Sequence, residues 1–219
     1  MILSLTEKFL FIHVYKVAGT SIVQALGKTD FRHTLRKLLP KTTSLYLRCL
    51  GINPRALWMH DHALAKDVRA MMRMSVFESL FKVGFVRNPW DLQVSLYNYN
   101  LRNPKARHAG RDLTSFESFI KSAPENEFPL GQQKRFLFDD TGAQLVDFIG
   151  RYETLNDDFR KVCSAIGLED AELKHWNATE HAPWQTYYTP ELFERVRLYA
   201  QADIAAFGYA DDPAAYAIH

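Results

Sequence analysis

The chain has 219 residues but only two cysteines, Cys49 and Cys163, far apart and in no Cys-x-x-Cys arrangement. This scarcity argues against a disulfide scaffold or a zinc module, and it fits a reducing compartment. Long apolar runs are also missing. Phe9-Leu10-Phe11-Ile12-His13-Val14-Tyr15 is apolar and aromatic, but about seven residues fall far short of the ~20 needed to span a bilayer. Met1 to Lys8 places an acid and a base ahead of that run, so no signal peptide is predicted. The expectation is a cytoplasmic chain with no transmembrane segment. Net charge is nearly absent: 27 Lys+Arg against 25 Asp+Glu leave +2, which gives no ground for a nucleic-acid partner. With 47% hydrophobic, 24% charged and 13% aromatic residues, disorder, collagen and low-complexity fibre are excluded. Repeats and linker-like stretches are lacking too, so residues 1–219 are expected to form one domain.

The charge that is present is unevenly spread. Between Lys28 and Arg55 the basic residues Lys28, Arg32, Arg36, Lys37, Lys41, Arg48 and Arg55 are opposed only by Asp30. A second cluster holds Arg102, Lys105, Arg107, His108 and Arg111. Either is a solvated face, or part of a field that draws in an anionic ligand.

Strands alternate with helices along the chain. Phe9–Tyr15 reads as a buried strand, followed by a helix from Ile22 to Leu26 with Thr20 or Ser21 as cap and Gly27 as stop. Helical pieces broken by Pro40 and Pro54 lead to a helical pattern over Ala63–Met74 and a strand at Phe81–Val86. Asn88 and Pro89 open a helix reaching about Asn100. Leu113–Ala123 is predicted helical, Leu145–Arg151 a short strand, Asn156–Ile166 a helix stopped by Gly167, and Pro190–Phe207 one long helix. The alternation implies an α/β sandwich around a mainly parallel sheet.

Two turns have the composition of anion sites. Tyr15-Lys16-Val17-Ala18-Gly19-Thr20-Ser21 lies at a strand-to-helix junction. Its small residues let the backbone approach a ligand, the helix start offers N–H groups, and Lys16 adds a cation. It is not a standard P-loop, because the lysine precedes the glycine. Taken alone, such a turn is usually a tight connection. The second is Arg87-Asn88-Pro89-Trp90-Asp91-Leu92-Gln93-Val94-Ser95. Arg87 closes a strand, where open α/β sheets place ligands, although it could equally be a structural ion pair and Ser95 could simply bond its own backbone.

The chain resembles the family-2 sulfotransferases, the group that includes carbohydrate and heparan sulfate 2-O-sulfotransferases. The resemblance rests on Phe11–Ser21, on Arg87–Ser95 with Tyr97 and Tyr99, and on Asp147-Phe148-Ile149-Gly150-Arg151-Tyr152-Glu153. It continues in Asp158-Phe159, Asn177-Ala178-Thr179 and the tail Asp203-Ile204 to Phe207-Gly208-Tyr209. It implies a P-loop-like three-layer sandwich with a central, mainly parallel sheet flanked by helices. It also implies 3′-phosphoadenylyl sulfate (PAPS) as sulfuryl donor, adenosine 3′,5′-bisphosphate (PAP) as product, and no metal. By the same resemblance Lys16, Ala18, Gly19, Thr20 and Ser21 hold the 5′ end of the donor, Arg87 and Ser95 hold the 3′-phosphate, and Asn177 lies in a cofactor-side loop. The sequence departs from the family at Tyr15, where proline is common, and at Val17, where threonine is common.

Sulfuryl transfer to a hydroxyl needs a base for the acceptor proton and a cation at the leaving phosphate oxygen. Lys16 is the natural cation. Met59-His60-Asp61-His62 resembles the catalytic histidine region of the 2-O-sulfotransferases, which makes His62 the base and His60 a support for substrate or orientation. The competing readings are a zinc pair without convincing further ligands, and a helix start with Asp61 as N-cap. His13 reads as a buried, hydrogen-bonded histidine. The expected acceptor is a sugar or glycolipid, contacted by the basic clusters, by the polar loop Gln132, Gln133 and Arg135, or by Trp58, Trp176 or Trp184. The expected assembly is a monomer or homodimer. The readings weighed against the sulfotransferase are a nucleotide-dependent small-molecule kinase and a non-catalytic polyanion-binding module.

Overall fold

Phe9, Leu10, Phe11 and Ile12 are all fully buried, and together they make an inner strand of a four-stranded sheet. The structure, a computed structural model, describes residues 1–30, 40–103, 105, 110–123, 132–169, 171–173 and 182–216. In chain order its strands are β1 (Ile2–Ser4), β2 (Phe9–Ile12), β3 (Phe81–Val86) and β4 (Phe148–Arg151). Its α-helices are α1 (Gly19–Leu26), α2 (Pro40–Cys49), α3 (Ala65–Ala70), α4 (Met74–Glu78) and α5 (Pro89–Arg102). They continue with α6 (Phe116–Lys121), α7 (Lys134–Leu137), α8 (Leu155–Ala165), α9 (Pro190–Tyr199) and α10 (Gln201–Phe207). These residues cluster into two compact units, Met1–Val86 with Arg135–Trp176 and Arg87–Lys134 with Asn177–His219.

The first unit carries the sheet, in the order β1-β2-β3-β4. β2, β3 and β4 run parallel, with Phe11 opposite Val83 and Phe85 opposite Gly150, and β1 lies antiparallel to β2 at the edge. Unbroken apolar runs such as Phe9–Ile12 suit parallel strands covered on both faces. The result is the expected α/β architecture, a mostly parallel sheet flanked by helices. The second unit is helical. Trp90 is fully buried in it, stacked on Phe193 with centroids 4.2 Å apart, and its indole N–H donates to the Phe193 carbonyl at 3.0 Å.

Several expected boundaries move, each for a local reason. β2 stops at Ile12, because the backbone beyond it turns away to build the loop described below. β4 begins only at Phe148, since Leu145 N–H donates to Leu137 O and the Asp147 carboxylate accepts from Lys82 N–H at 2.7 Å. α1 starts at Gly19, so neither Thr20 nor Ser21 is its cap. The helix ends at Leu26 with Gly27 at the C-cap, as expected, and Gly27 at φ −65° leads into a 3-10 turn, Gly27–Thr29. Asn88 is the N-cap expected of it, accepting from Trp90 N–H at 3.0 Å and Asp91 N–H at 3.3 Å. The 63–74 pattern divides into α3 and α4, and α6 covers only Phe116–Lys121. The long C-terminal helix is interrupted at Ala200, which separates α9 from α10 and leaves Asp203 buried at the start of α10.

Candidate active site

Between β2 and α1 the chain makes a strained turn. Lys16 and Ala18, neither of them glycine, have φ of 60° and 61°, a region that costs an L-residue roughly 1–2 kcal/mol. Val17 between them is fully buried and ties the turn to the core. Ala18 supplies no cap side chain to α1, and the first turn of the helix holds no acid. The positive end of the helix dipole is therefore aimed at the loop without a neutralising carboxylate. Gly19 is required for a steric reason: a β-carbon there would stand 1.9 Å from Nε2 of His13.

His13 joins this loop to the histidine turn. Its ring fills the space against Gly19 and stacks on Phe11 at 5.8 Å, and burial pushes its pKa down to about 2. Its carbonyl oxygen lies 2.8 Å from Nδ1 of His62. A carbonyl can only accept, so His62 carries its hydrogen on Nδ1 and presents a lone pair at Nε2. Burial lowers the His62 pKa below the ordinary 6.5, the bond to His13 acting in the opposite sense. The imidazole is thus a neutral proton acceptor at about pH 7. Tyr15 stacks on it with centroids 3.7 Å apart and an interplanar angle of 19°, and Phe136 meets Tyr15 edge-on at 5.7 Å. His60 is exposed, and its Nδ1 accepts from the backbone N–H of His62 at 3.1 Å. Met59 anchors the turn by packing against the buried cluster of Leu47, Ile52 and Ala56.

In the second unit Arg87 is buried. Its Nε and Nη2 donate to the two carboxylate oxygens of Asp91 at 2.7 and 2.9 Å. That is a two-pronged pair of the kind that sets a guanidinium's plane. Ser95, two turns along α5, is buried as well. The Arg87 main chain is held by Gln133, whose Oε1 accepts from Arg87 N–H at 2.8 Å and whose Nε2 donates to Arg87 O at 2.7 Å.

Residues 1–210 match the Sulfotransferase family. The chain belongs to the sulfotransferase family. It is accordingly a transferase enzyme that moves sulfuryl groups, in a family that generally takes them from PAPS. An uncharacterised protein of Archaeoglobus fulgidus is 32% identical over 111 residues, which cover 47% of this sulfotransferase and 81% of that relative. No solved structure matches the chain.

For this sulfotransferase the structure gathers part of the expected site in each unit. Lys16, Ala18, Gly19, Thr20 and Ser21 share one loop and helix start in the first unit, and His62 joins that loop through His13 and Tyr15. Ser21 is buried and Thr20 exposed. Arg87 and Ser95 stand in the second unit, and Asn177 lies outside the described residues, as do Trp176, Arg32, Arg36, Lys37, Arg107 and His108. Asp61 is not an N-cap, because α3 begins at Ala65 after Leu64. No group of three or more His, Cys, Asp or Glu among the described residues could hold a metal ion, and no described helix is long and apolar enough to cross a membrane. Gln133 corrects the expectation of an acceptor-facing polar loop: it is 1% exposed and bonds main chain, whereas Gln132 and Arg135 are exposed. Trp58 is 75% exposed. Tyr15 and His13 were missed as site residues, although their place at the end of β2 beside Lys16 was the available signal.

Proposed function

We propose that this sulfotransferase moves a sulfuryl group from PAPS to a hydroxyl of a carbohydrate or glycolipid, by in-line transfer in a P-loop-like three-layer fold. The donor supplies the activated sulfuryl group and leaves as PAP. The observation that carries the reading is the 2.8 Å bond from His62 Nδ1–H to the His13 carbonyl. It holds the imidazole in the tautomer whose Nε2 can take the acceptor's hydroxyl proton. Tyr15 limits rotation of the ring, and His60 fixes the turn by accepting from His62 N–H.

The residues of the loop fit an anionic donor. Lys16 offsets charge on the leaving phosphate oxygen, and the N–H groups of Gly19, Thr20 and Ser21 at the start of α1 face that phosphate with Ala18 completing the turn. Arg87 and Ser95 are assigned to the 3′-phosphate by the family resemblance, with Asn177 beside the cofactor. Asp91 supports Arg87 in this role because it fixes the guanidinium plane through Nε and Nη2.

Two measurements test the proposal. PAP at ~100 times its dissociation constant should stabilise the protein by about 2.7 kcal/mol, a rise of roughly 5–10 °C, with ADP or ATP and Mg²⁺ giving little. A rise with ATP alone would replace the sulfotransferase donor by a kinase donor, and no rise with any nucleotide would favour a polyanion-binding module. His62→Asn should lower kcat by about 10²- to 10⁴-fold while PAP affinity stays within about twofold. Retained turnover would remove His62 from the role of base.

A further inference from the structure

Gln133, which holds the main chain of Arg87, is itself held by Asp203 of the tail segment. Asp203 is 0% exposed, and its two carboxylate oxygens accept from consecutive backbone amides, Gln133 N–H at 2.7 Å and Lys134 N–H at 2.8 Å. Those bonds set the start of α7 and with it the direction of the Gln133 side chain. The Gln133 amide then meets both main-chain polar groups of Arg87, accepting at 2.8 Å and donating at 2.7 Å. The partners dictate the orientation of that amide, since an N–H can only donate and a carbonyl only accept. Arg87 follows the last residue of β3, so its N–H and C=O would otherwise be strand-type groups at a buried chain end. Gln133 satisfies both. Asn88 next to it caps α5, and Asp91 in the first turn of that helix takes the guanidinium. Arg87 is therefore fixed from both sides, main chain by Gln133 and side chain by Asp91.

We propose that Gln133 and Asp203 are positioning residues for the 3′-phosphate of the donor. Asp203 holds the 133–134 turn, Gln133 holds the main chain of Arg87, and the guanidinium is thereby kept where the phosphate meets it. The proposal rests on the reading of Arg87 as the 3′-phosphate arginine. A charge-assisted contact is lost when its donor can swing away, and such contacts are worth about ten- to a hundredfold in affinity. The effect should therefore fall on the 3′-phosphate alone and leave the rest of the nucleotide untouched.

Adenosine 3′,5′-bisphosphate and adenosine 5′-monophosphate differ only in that phosphate. The ratio of their dissociation constants, measured by calorimetric titration on the full chain, reads the contact directly. The wild-type protein should favour the bisphosphate by about tenfold or more. Gln133→Leu should reduce that preference by about tenfold while the monophosphate constant stays within about twofold. Asp203→Asn, which keeps one amide-accepting oxygen, should reduce it less, and it serves if the leucine variant does not fold. Arg87→Ala is the control. If it abolishes the preference while both clamp variants keep it, Gln133 and Asp203 have no positioning role and the Arg87 reading stands. Equal weakening of both nucleotides by the clamp variants would likewise overturn the proposal, as a general loss of structure. If Arg87→Ala preserves the preference, or the wild-type protein shows none, the Arg87 reading falls and the proposal falls with it.

Discussion

Gly19→Ala isolates the contact between the β2–α1 loop and the histidine cluster. The new β-carbon would lie 1.9 Å from Nε2, 2.0 Å from Cδ2 and 2.9 Å from Cε1 of His13. An ordinary separation is about 3.5 Å, so the ring must retreat by about 1.5 Å. It has little room to do so, because it stacks on Phe11 at 5.8 Å and leans on His62 at 4.2 Å. Overpacking of this kind costs about 1–3 kcal/mol, while replacing glycine by alanine in a helix returns about 1 kcal/mol at most. The clash at 1.9 Å decides the sign, and Gly19→Ala should be destabilised by about 2 kcal/mol. In a His13→Ala background the obstacle is gone, and the same substitution should be neutral or stabilising by up to about 1 kcal/mol. Urea unfolding of the four proteins gives the coupling energy, expected at about 2–3 kcal/mol. A coupling below about 0.5 kcal/mol, with Gly19→Ala equally costly in both backgrounds, would refute the steric account. The bisphosphate should also bind Gly19→Ala more weakly, because the displaced ring and the strained turn share that space.

Two titratable groups, the half-buried His13 and the buried Asp203, should give pH dependences of opposite sign. His13 falls from 6.5 to about 2 in the folded protein, so between those values only the unfolded chain takes the proton. Stability is lost as pH falls through this window, and His13→Asn should gain on wild type by about 1.4 kcal/mol per pH unit below 6.5. Asp203 rises from 3.8 to about 7. Its contribution is present below 3.8 and lost as pH rises to about 7, so Asp203→Asn should gain on wild type with rising pH at a similar rate. Denaturant midpoints across that range, converted to free-energy differences, check both slopes; equal signs would refute the assignment. Tyr15→Ala should lower kcat and move the pH at half-maximal activity, with Tyr15→Phe restoring both, because the stack and not the hydroxyl positions His62. Asn88→Ala removes two accepted amide bonds at the start of α5 and should cost about 1 kcal/mol in urea unfolding.

What could be read from the sequence was what local pattern determines. Phe81–Val86 is β3 from end to end, and Asn88-Pro89 opens α5 as its residues prescribe, because a short polar side chain followed by proline has few other uses. Gly167, at φ 69°, ends α8 region turns as a left-handed residue should. The misses are tertiary. β1 is only Ile2–Ser4, too short for any period, and exists because β2 offers it an edge. The break at Ala200 has no local breaker; it accompanies the burial of Asp203 on amides about 70 residues earlier. In the site, the residue types at Lys16, Gly19 and His62 were legible. The partner of His62 was not, because His13 meets it through its carbonyl oxygen, which every residue possesses, and the fit of the His13 ring against Gly19 is a tertiary contact.

The two departures from the family pattern have physical counterparts in the fold. Proline before Lys16 would stiffen the turn through its ring; Tyr15 gains order differently, packed face-on against His62 and edge-on against Phe136. Its order is therefore coupled to the His62 ring, a contact that a proline ring would not provide. At Val17 the side chain is 0% exposed. A threonine there would have to find a partner for its hydroxyl or bear a cost of about 1–3 kcal/mol, whereas valine fills the same volume without one. With Val17 anchored apolarly and Tyr15 stacked, the turn keeps Lys16 and Ala18 in left-handed backbone conformations without relying on either family residue. The turn is thus fixed by packing, and the strand end that leads into it carries the His13 carbonyl that keeps the hydrogen of His62 on Nδ1.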